Sequence, residues 1–163
     1  MNSLMNLNLN TKLNQRKNKE EMKVLVFGLP GSGKSTLAEP LAEVVEGVWL
    51  NADAVREEYN DWDFSDEGRM RQAMRMRLLA DGVSKAGKIA ITDFVCPFKE
   101  ARMSFDPDYT IWLDTIKEGR FEDTNKIFER PQHADYVITD WYPATHLEIE
   151  PLIEKAHREW LKR

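Results

Sequence analysis

Nine consecutive residues, Gly28-Leu29-Pro30-Gly31-Ser32-Gly33-Lys34-Ser35-Thr36, have the types and spacing to hold a phosphate. They match G-x-x-x-x-G-K-[ST] at every fixed position. Glycines at 28, 31 and 33 open backbone conformations closed to other residues, so successive N–H groups can turn inward around an anion. Lys34 is spaced to reach the β- and γ-phosphates of a nucleoside triphosphate such as ATP, and the Ser35 hydroxyl to hold Mg²⁺.

A glycine-rich turn that binds nothing would show the same glycines, so the flanking elements decide. Lys23-Val24-Leu25-Val26-Phe27 is a short apolar run of the kind that forms a buried parallel strand. Leu37 to Val45 then carries apolar residues at helical spacing, with Pro40 expected to kink or end a turn and Gly47 to close the helix. A helix beginning near Lys34 aims the positive end of its dipole at the loop. Strand, loop and helix together imply a site for ATP.

A chain of 163 residues with 42% apolar content, five Trp and seven Phe can bury a real core as one domain. The net charge of −5 argues against a nucleic-acid partner bound through its phosphate backbone. One cysteine, Cys96, excludes an internal disulfide and a cysteine-based zinc site and fits a reducing cytoplasm. No apolar run approaches the ~20 residues of a membrane span, so no membrane partner is expected. Residues 1–21 hold six Asn, four basic and two acidic side chains and few large apolar ones. They read as a disordered tail, or as the product of a start upstream of Met22, and residues 22–163 as the folded domain.

The remaining chemistry gathers at predicted strand ends. Val48-Trp49-Leu50 is a second strand running into Asn51-Ala52-Asp53-Ala54-Val55-Arg56, at the sheet edge where ligands of open α/β sheets bind. Asp53 is there a candidate catalytic acid or a helix cap. Glu57 to Asp63 reads as a loop. Ser65, Asp66 and Glu67 open a long helix to about Lys85, ended by Gly87, with Met70, Ala73, Met74, Leu78, Leu79 and Val83 as its expected core stripe. Arg71 fits a solvated face, whereas Arg69 in the first turn opposes the dipole and calls for an anion. Lys88 to Asp93 is a third strand, and Asp93 at its end is either a second Mg²⁺-organising acid or a strand-end cap. Tyr109–Leu113 and Tyr136–Thr139 are further strands, and Ile149 to Arg163 is an amphipathic closing helix. Alternating strands and helices give a three-layer α/β fold around a parallel sheet, the architecture of P-loop NTPases.

In this order the motifs resemble the adenylylsulfate kinase family, which transfers the γ-phosphate of ATP to the 3′-hydroxyl of adenosine 5′-phosphosulfate. That family reads G-L-x-G-S-G-K-S-T, L-D-G-D-N-V-R, F-S-x-E-D-R-x-E-N, A-D-A-G and F-I-S-P-Y-R. Here the counterparts are the loop at 28–36, Leu50-Asn51-Ala52-Asp53-Ala54-Val55-Arg56, Phe64-Ser65-Asp66-Glu67-Gly68-Arg69-Met70-Arg71-Gln72, Ala86-Gly87 and Phe94-Val95-Cys96-Pro97-Phe98-Lys99. The resemblance implies that Asp53 orients or deprotonates the acceptor hydroxyl and helps place Mg²⁺. It implies that Arg56 and Arg69 hold the acceptor's anionic group, with Gln72 beside them. Phe64 would stack on the base, and the backbone at Val95 and Cys96 would line the pocket.

Several positions depart from the pattern. Asn51 replaces an acid, Gln72 an Asn and Gly68 an acid. After Leu113 the family has a basic lid helix, whereas here Asp114 to Arg120 passes almost directly to Phe121-Glu122-Asp123-Thr124. Lys117 and Arg120 would form a stub, with Arg120 a candidate to neutralise transition-state charge. Closure by a second copy of the chain, in a homodimer, is an alternative. A kinase for another nucleotide-linked acceptor or for a polynucleotide 5′-end, and a non-catalytic nucleotide-binding relative, are further readings of the same residues.

Overall fold

The computed structural model describes residues 22–119, 121–140 and 144–161. The tail at 1–21 and the proposed role of Arg120 lie outside the described residues.

Among the described residues, eleven strands and helices follow one another along the chain. They are β1 (Met22–Gly28), α1 (Lys34–Val44), β2 (Val48–Asn51), α2 (Ala52–Tyr59), α3 (Asp66–Lys85), β3 (Ile89–Asp93), α4 (Lys99–Phe105), β4 (Tyr109–Leu113), α5 (Glu122–Ile127), β5 (Tyr136–Ile138) and α6 (Thr145–Leu161). The strands form one sheet in the order β2-β3-β1-β4-β5, parallel throughout.

The period-two alternation of strand side chains divides the core into two layers. Val24, Val26, Ile91, Ile111 and Leu113 face α1 and α6, meeting Leu37, Leu41, Ile149 and Ile153. Leu25, Phe27, Ala90 and Trp112 face the other way, onto α2, α3 and α4 through Val55, Ala73, Met76 and Phe105. A sheet covered on both faces is the three-layer arrangement expected from the alternating pattern. Lys23, on the second face, is nearly buried and is stabilised by an ion pair to Asp81 (2.9 Å) and a bond to the Phe105 carbonyl (3.1 Å).

Three local expectations are corrected. Glu57 to Tyr59 is helical, because Asn51 starts α2 by accepting a bond from Ala54 N–H at 2.9 Å. The helix ends at Asn60, whose left-handed backbone (φ 48) suits an asparagine. On α3 the buried positions are Ala73, Met76 and Ala80, while Met74 and Leu78 are 43% and 68% exposed, so the methionine-rich stripe is not wholly core. Finally, α1 does not end at Pro40 but runs on to Val44. The start of α3 matches its sequence signal: Ser65 Oγ accepts from Gly68 N–H at 3.1 Å.

Candidate active site

Parallel strands bring their carboxyl ends to one edge of the sheet, and β1, β2 and β3 end there side by side. The register sets Asn51 beside Asp93, and Asp93 beside Val26, two residues before Gly28. The loop from 28 to 36 therefore begins next to the ends of the strands carrying Asn51 and Asp93.

Gly31 and Gly33 have φ of 86 and 101, the left-handed conformations that L side chains resist, and this curls the loop over the start of α1. Gly33 is the N-cap of α1 and supplies no side-chain cap, and no acid lies in the first turn. No side chain therefore caps the start of α1, whose positive dipole end favours an anion. Lys34 Nζ donates to the Leu29 carbonyl at 3.2 Å, which folds the ammonium back along its own loop. Thr115 Oγ1 donates to the Ser32 carbonyl at 2.8 Å and braces the loop from the β4 side.

Beneath the loop, Asp93 is 2% exposed and is surrounded by donors. Trp49 Nε1 donates to its Oδ2, and Ser35 Oγ donates to its Oδ1 at 3.4 Å. Asn51 Nδ2 lies 3.2 Å from Asp93 Oδ1 and 3.2 Å from Ser35 Oγ. Burial raises the Asp93 carboxyl above its ordinary pKa, and the bonds from Trp49 and Asn51, the Lys34 charge and Ser35 pull the other way.

Facing this cluster is a cleft of about 640 Å³. Its lining includes Pro30, Gly31 and residues 33–36 of the phosphate loop together with Asp53, Arg56, Phe64 and Arg69. Asp53 sits exposed in the first turn of α2, with capping done by Asn51 instead, so the cap alternative for Asp53 falls away. Arg56 and Arg69 are only 5% and 8% exposed. Arg56 donates to the carbonyls of Asp61 (2.9 Å) and Asp63 (3.1 Å), and Arg69 to the Phe64 carbonyl (3.0 Å) and Thr124 Oγ1 (3.2 Å). Burial lowers both guanidinium pKa values; Asp61 opposes this at Arg56 and Asp123 at Arg69. The bonds run to carbonyls and a hydroxyl, so no carboxylate bonded to either guanidinium cancels its charge among the described residues.

Val95 and Cys96 line the floor of the cleft. Cys96 is buried with φ 45, and its carbonyl accepts from Arg102 Nε at 2.9 Å. The same Arg102 reaches the Pro97 and Glu129 carbonyls, and its guanidinium carbon lies 4.6 Å and 5.0 Å from the ring centroids of Phe27 and Phe128. It fixes the β3–α4 loop as a wall of the cleft. Gln72 reaches the cleft but is engaged within the protein: Nε2 donates to the Ala52 carbonyl (3.1 Å) and Oε1 accepts from Arg75 (2.9 Å).

Four residues of this region were not singled out from the sequence. Trp49 is one; it stands two positions before Asn51 on β2 and so shares its face, a period-two signal available in advance. Phe121, Asp123 and Thr124 are the others, brought to the cleft by the six-residue α5 and the turn before it. Gly119 N–H donates to Asn125 Oδ1 at 2.7 Å, and Asn125 Nδ2 returns a bond to the Gly119 carbonyl at 2.9 Å. This clip holds the turn beside the phosphate loop.

The probable adenylyl-sulfate kinase of Bacillus subtilis is 38% identical over 95 residues, which is 54% of this chain and 48% of that protein. The probable adenylyl-sulfate kinase of Aeropyrum pernix is 36% identical over 88 residues, 48% of this chain and 46% of that one. The chain thus spans about half the length of the curated relatives it matches. Among solved structures, the Mycobacterium tuberculosis APS kinase in complex with AMPPNP and APS superposes with a TM-score of 0.73 at 20% identity, covering 83% of this chain and 99% of that one. A sugar kinase from a Janibacter species superposes at 0.66 with 19% identity, covering 86% and 98%. These structural likenesses establish the fold. The description "Adenylylsulphate kinase" belongs to the family that matches residues 20–107, more than half the chain, and the chain is a member of that family.

Proposed function

We propose that the chain is a phosphotransferase that moves the γ-phosphate of ATP to the 3′-hydroxyl of adenosine 5′-phosphosulfate, giving 3′-phosphoadenylylsulfate and ADP. One observation carries this reading. The uncapped start of α1 and the two guanidiniums of Arg56 and Arg69 face one cleft, giving it two separate anion sites, with Asp53 also on its wall.

The loop at 28–36 takes the triphosphate through its N–H groups, with Lys34 swinging from the Leu29 carbonyl to the β- and γ-phosphates. Arg56 and Arg69 hold the phosphosulfate of the acceptor, and the 49% exposed ring of Phe64 packs on its base. Asp53 takes the proton of the 3′-hydroxyl as that oxygen bonds to the γ-phosphorus and the bond to the β-bridging oxygen breaks. Alignment and charge neutralisation do most of the work in such a transfer.

Ser35 Oγ and Asp93 Oδ1 are adjacent hard oxygen donors and suit Mg²⁺, which usually takes one or two carboxylates and completes its shell with phosphate oxygens and water. The described residues contain no cluster of three or more His, Cys, Asp or Glu, which fits an ion shared with a nucleotide. Ser35 and Asp93, with Asp53 from α2, would hold Mg²⁺, whose contribution is neutralisation of charge on the transferring phosphoryl group.

A second acceptor is favoured by one observation. Gln72 spends its amide on Ala52 and Arg75, so a contact expected from the family's Asn is weakened. The same chemistry on another nucleotide-linked anion follows if that contact selects the substrate. ATP consumption with Mg²⁺ is to be measured against adenosine 5′-phosphosulfate, AMP and a 5′-hydroxyl oligonucleotide, with products identified by mass. Selective 3′-phosphorylation of adenosine 5′-phosphosulfate supports the first reading. Turnover of another acceptor alone overturns it in favour of the second.

A further inference from the structure

The Asn51 carboxamide makes two different contacts with its two ends. Its Oδ1 accepts from Ala54 N–H at 2.9 Å and starts α2, which fixes which end of the amide faces the phosphate loop. Its Nδ2 is then directed at both Ser35 Oγ and Asp93 Oδ1, 3.2 Å from each. These two oxygens are the ones suited to a divalent cation, and an N–H donor on their lone pairs competes with a cation for them.

Resting on the phosphate-site reading above, we propose that Asn51 is a positioning residue that sets cation affinity. Its Nδ2 occupies lone pairs of Ser35 and Asp93 before the cation arrives and yields them when it binds. Rotating the amide away is opposed by the cap, because the rotation would turn N–H groups toward the Ala54 N–H. Cation binding is thereby linked to the first turn of α2, the turn that carries Asp53. The neutral amide also leaves the cluster one negative charge short of what an aspartate would provide at this position.

Two variants keep the cap and remove the amide N–H donor. Serine and aspartate both cap helices well, so Asn51→Ser and Asn51→Asp retain the start of α2. Mn²⁺ binding is read by electron paramagnetic resonance on the full chain saturated with a non-hydrolysable ATP analogue, and analogue affinity without metal is measured in parallel. The proposal requires Asn51→Ser to bind Mn²⁺ several-fold more tightly than the wild type, and Asn51→Asp by at least about tenfold, the added charge supplementing the lost competition. Metal-free analogue affinity should be unchanged by Asn51→Ser. Unchanged or weaker Mn²⁺ binding in both variants, with normal analogue binding, overturns the role of Asn51 while leaving the phosphate site intact. Failure of the wild type to bind the analogue and Mn²⁺ overturns the phosphate-site reading and this proposal together.

Discussion

The Arg56 guanidinium carbon lies 4.4 Å from the centroid of the Phe64 ring, which is half exposed to the cleft. Arg69 approaches the same ring at 5.3 Å. Two buried cations against one ring hold it in place. The two guanidiniums and the aromatic ring are therefore one packed unit on the cleft, built from α2, α3 and the loop between them.

Removing the ring should separate acceptor binding from ATP binding. Phe64→Ala is expected to raise the acceptor KM by roughly tenfold, the worth of one stacked base, and to leave the ATP KM within about twofold. Steady-state kinetics with each substrate varied in turn checks this. An equal rise in both constants would contradict the assignment of Phe64 to the acceptor side.

Gly68 allows the loop before α3 to lie directly on the helix. A Cβ at this position would come 2.3 Å from the Asp63 carbonyl oxygen, closer than any tolerated contact. Gly68→Ala should therefore lose about 2–4 kcal/mol by urea denaturation and raise the acceptor KM through displacement of Phe64. Gly82, with nothing within 4 Å of its added Cβ, is the control: Gly82→Ala should stabilise α3 by about 0.5–1 kcal/mol.

The same loop is tied to α3 by charge. Asp61 pairs with Arg71 at 2.9 Å and Arg75 at 3.0 Å, and Asp63 pairs with Arg71 at 3.0 Å. Bonds from Arg71 and Arg75 hold the Asp61 carboxyl well below the usual carboxylate range, and bonds from Ser65 lower Asp63 to about 2. A depressed folded-state pKa stabilises above the unfolded value near 4 and ceases to do so as pH falls through the folded value. Asp61→Asn should lower Tm by a few degrees at pH 7, and its difference from the wild type should shrink from about pH 4 downward. A thermal melt series across pH reads this; a difference that grows on acidification would contradict it.

Cys96 should be inert. It is 2% exposed, and burial pushes its thiol well above the ordinary range against the opposing charge of Arg102. Thiolate is the reactive form, so alkylation at pH 8 should be at least about a hundredfold slower in the native protein than in urea. Equal rates would show that the floor of the cleft opens readily.

Five strands and the phosphate loop were legible because each carries a local signal: a short apolar run, or glycines and a lysine at fixed spacing. The helix α2 was partly hidden because Asp53, Glu57 and Glu58 make its exposed face polar, and its cap, Asn51, also ends a strand. Met74 and Leu78 read as core by periodicity, yet α3 packs on the sheet through the smaller Ala73 and Ala80 with Met76 between them. The contacts of Asp93 with Trp49 and Asn51 span 44 and 42 residues, and only the parallel pairing of β2 with β3 creates them. Likewise, nothing local to α5 shows that Thr124 meets Arg69, 55 residues away.

The most direct test of the account is Asp53→Asn, measured for ATP binding by calorimetry and for turnover with Mg²⁺ and adenosine 5′-phosphosulfate. Asp53 is exposed on the cleft wall, and Asn51 performs the capping, so the substitution should leave the fold and the metal-free ATP affinity nearly unchanged. Loss of the carboxylate proposed to take the hydroxyl proton should lower kcat by at least about a hundredfold. Turnover within a few-fold of the wild type would contradict the central claim and shift the search for the catalytic acid to Asp93.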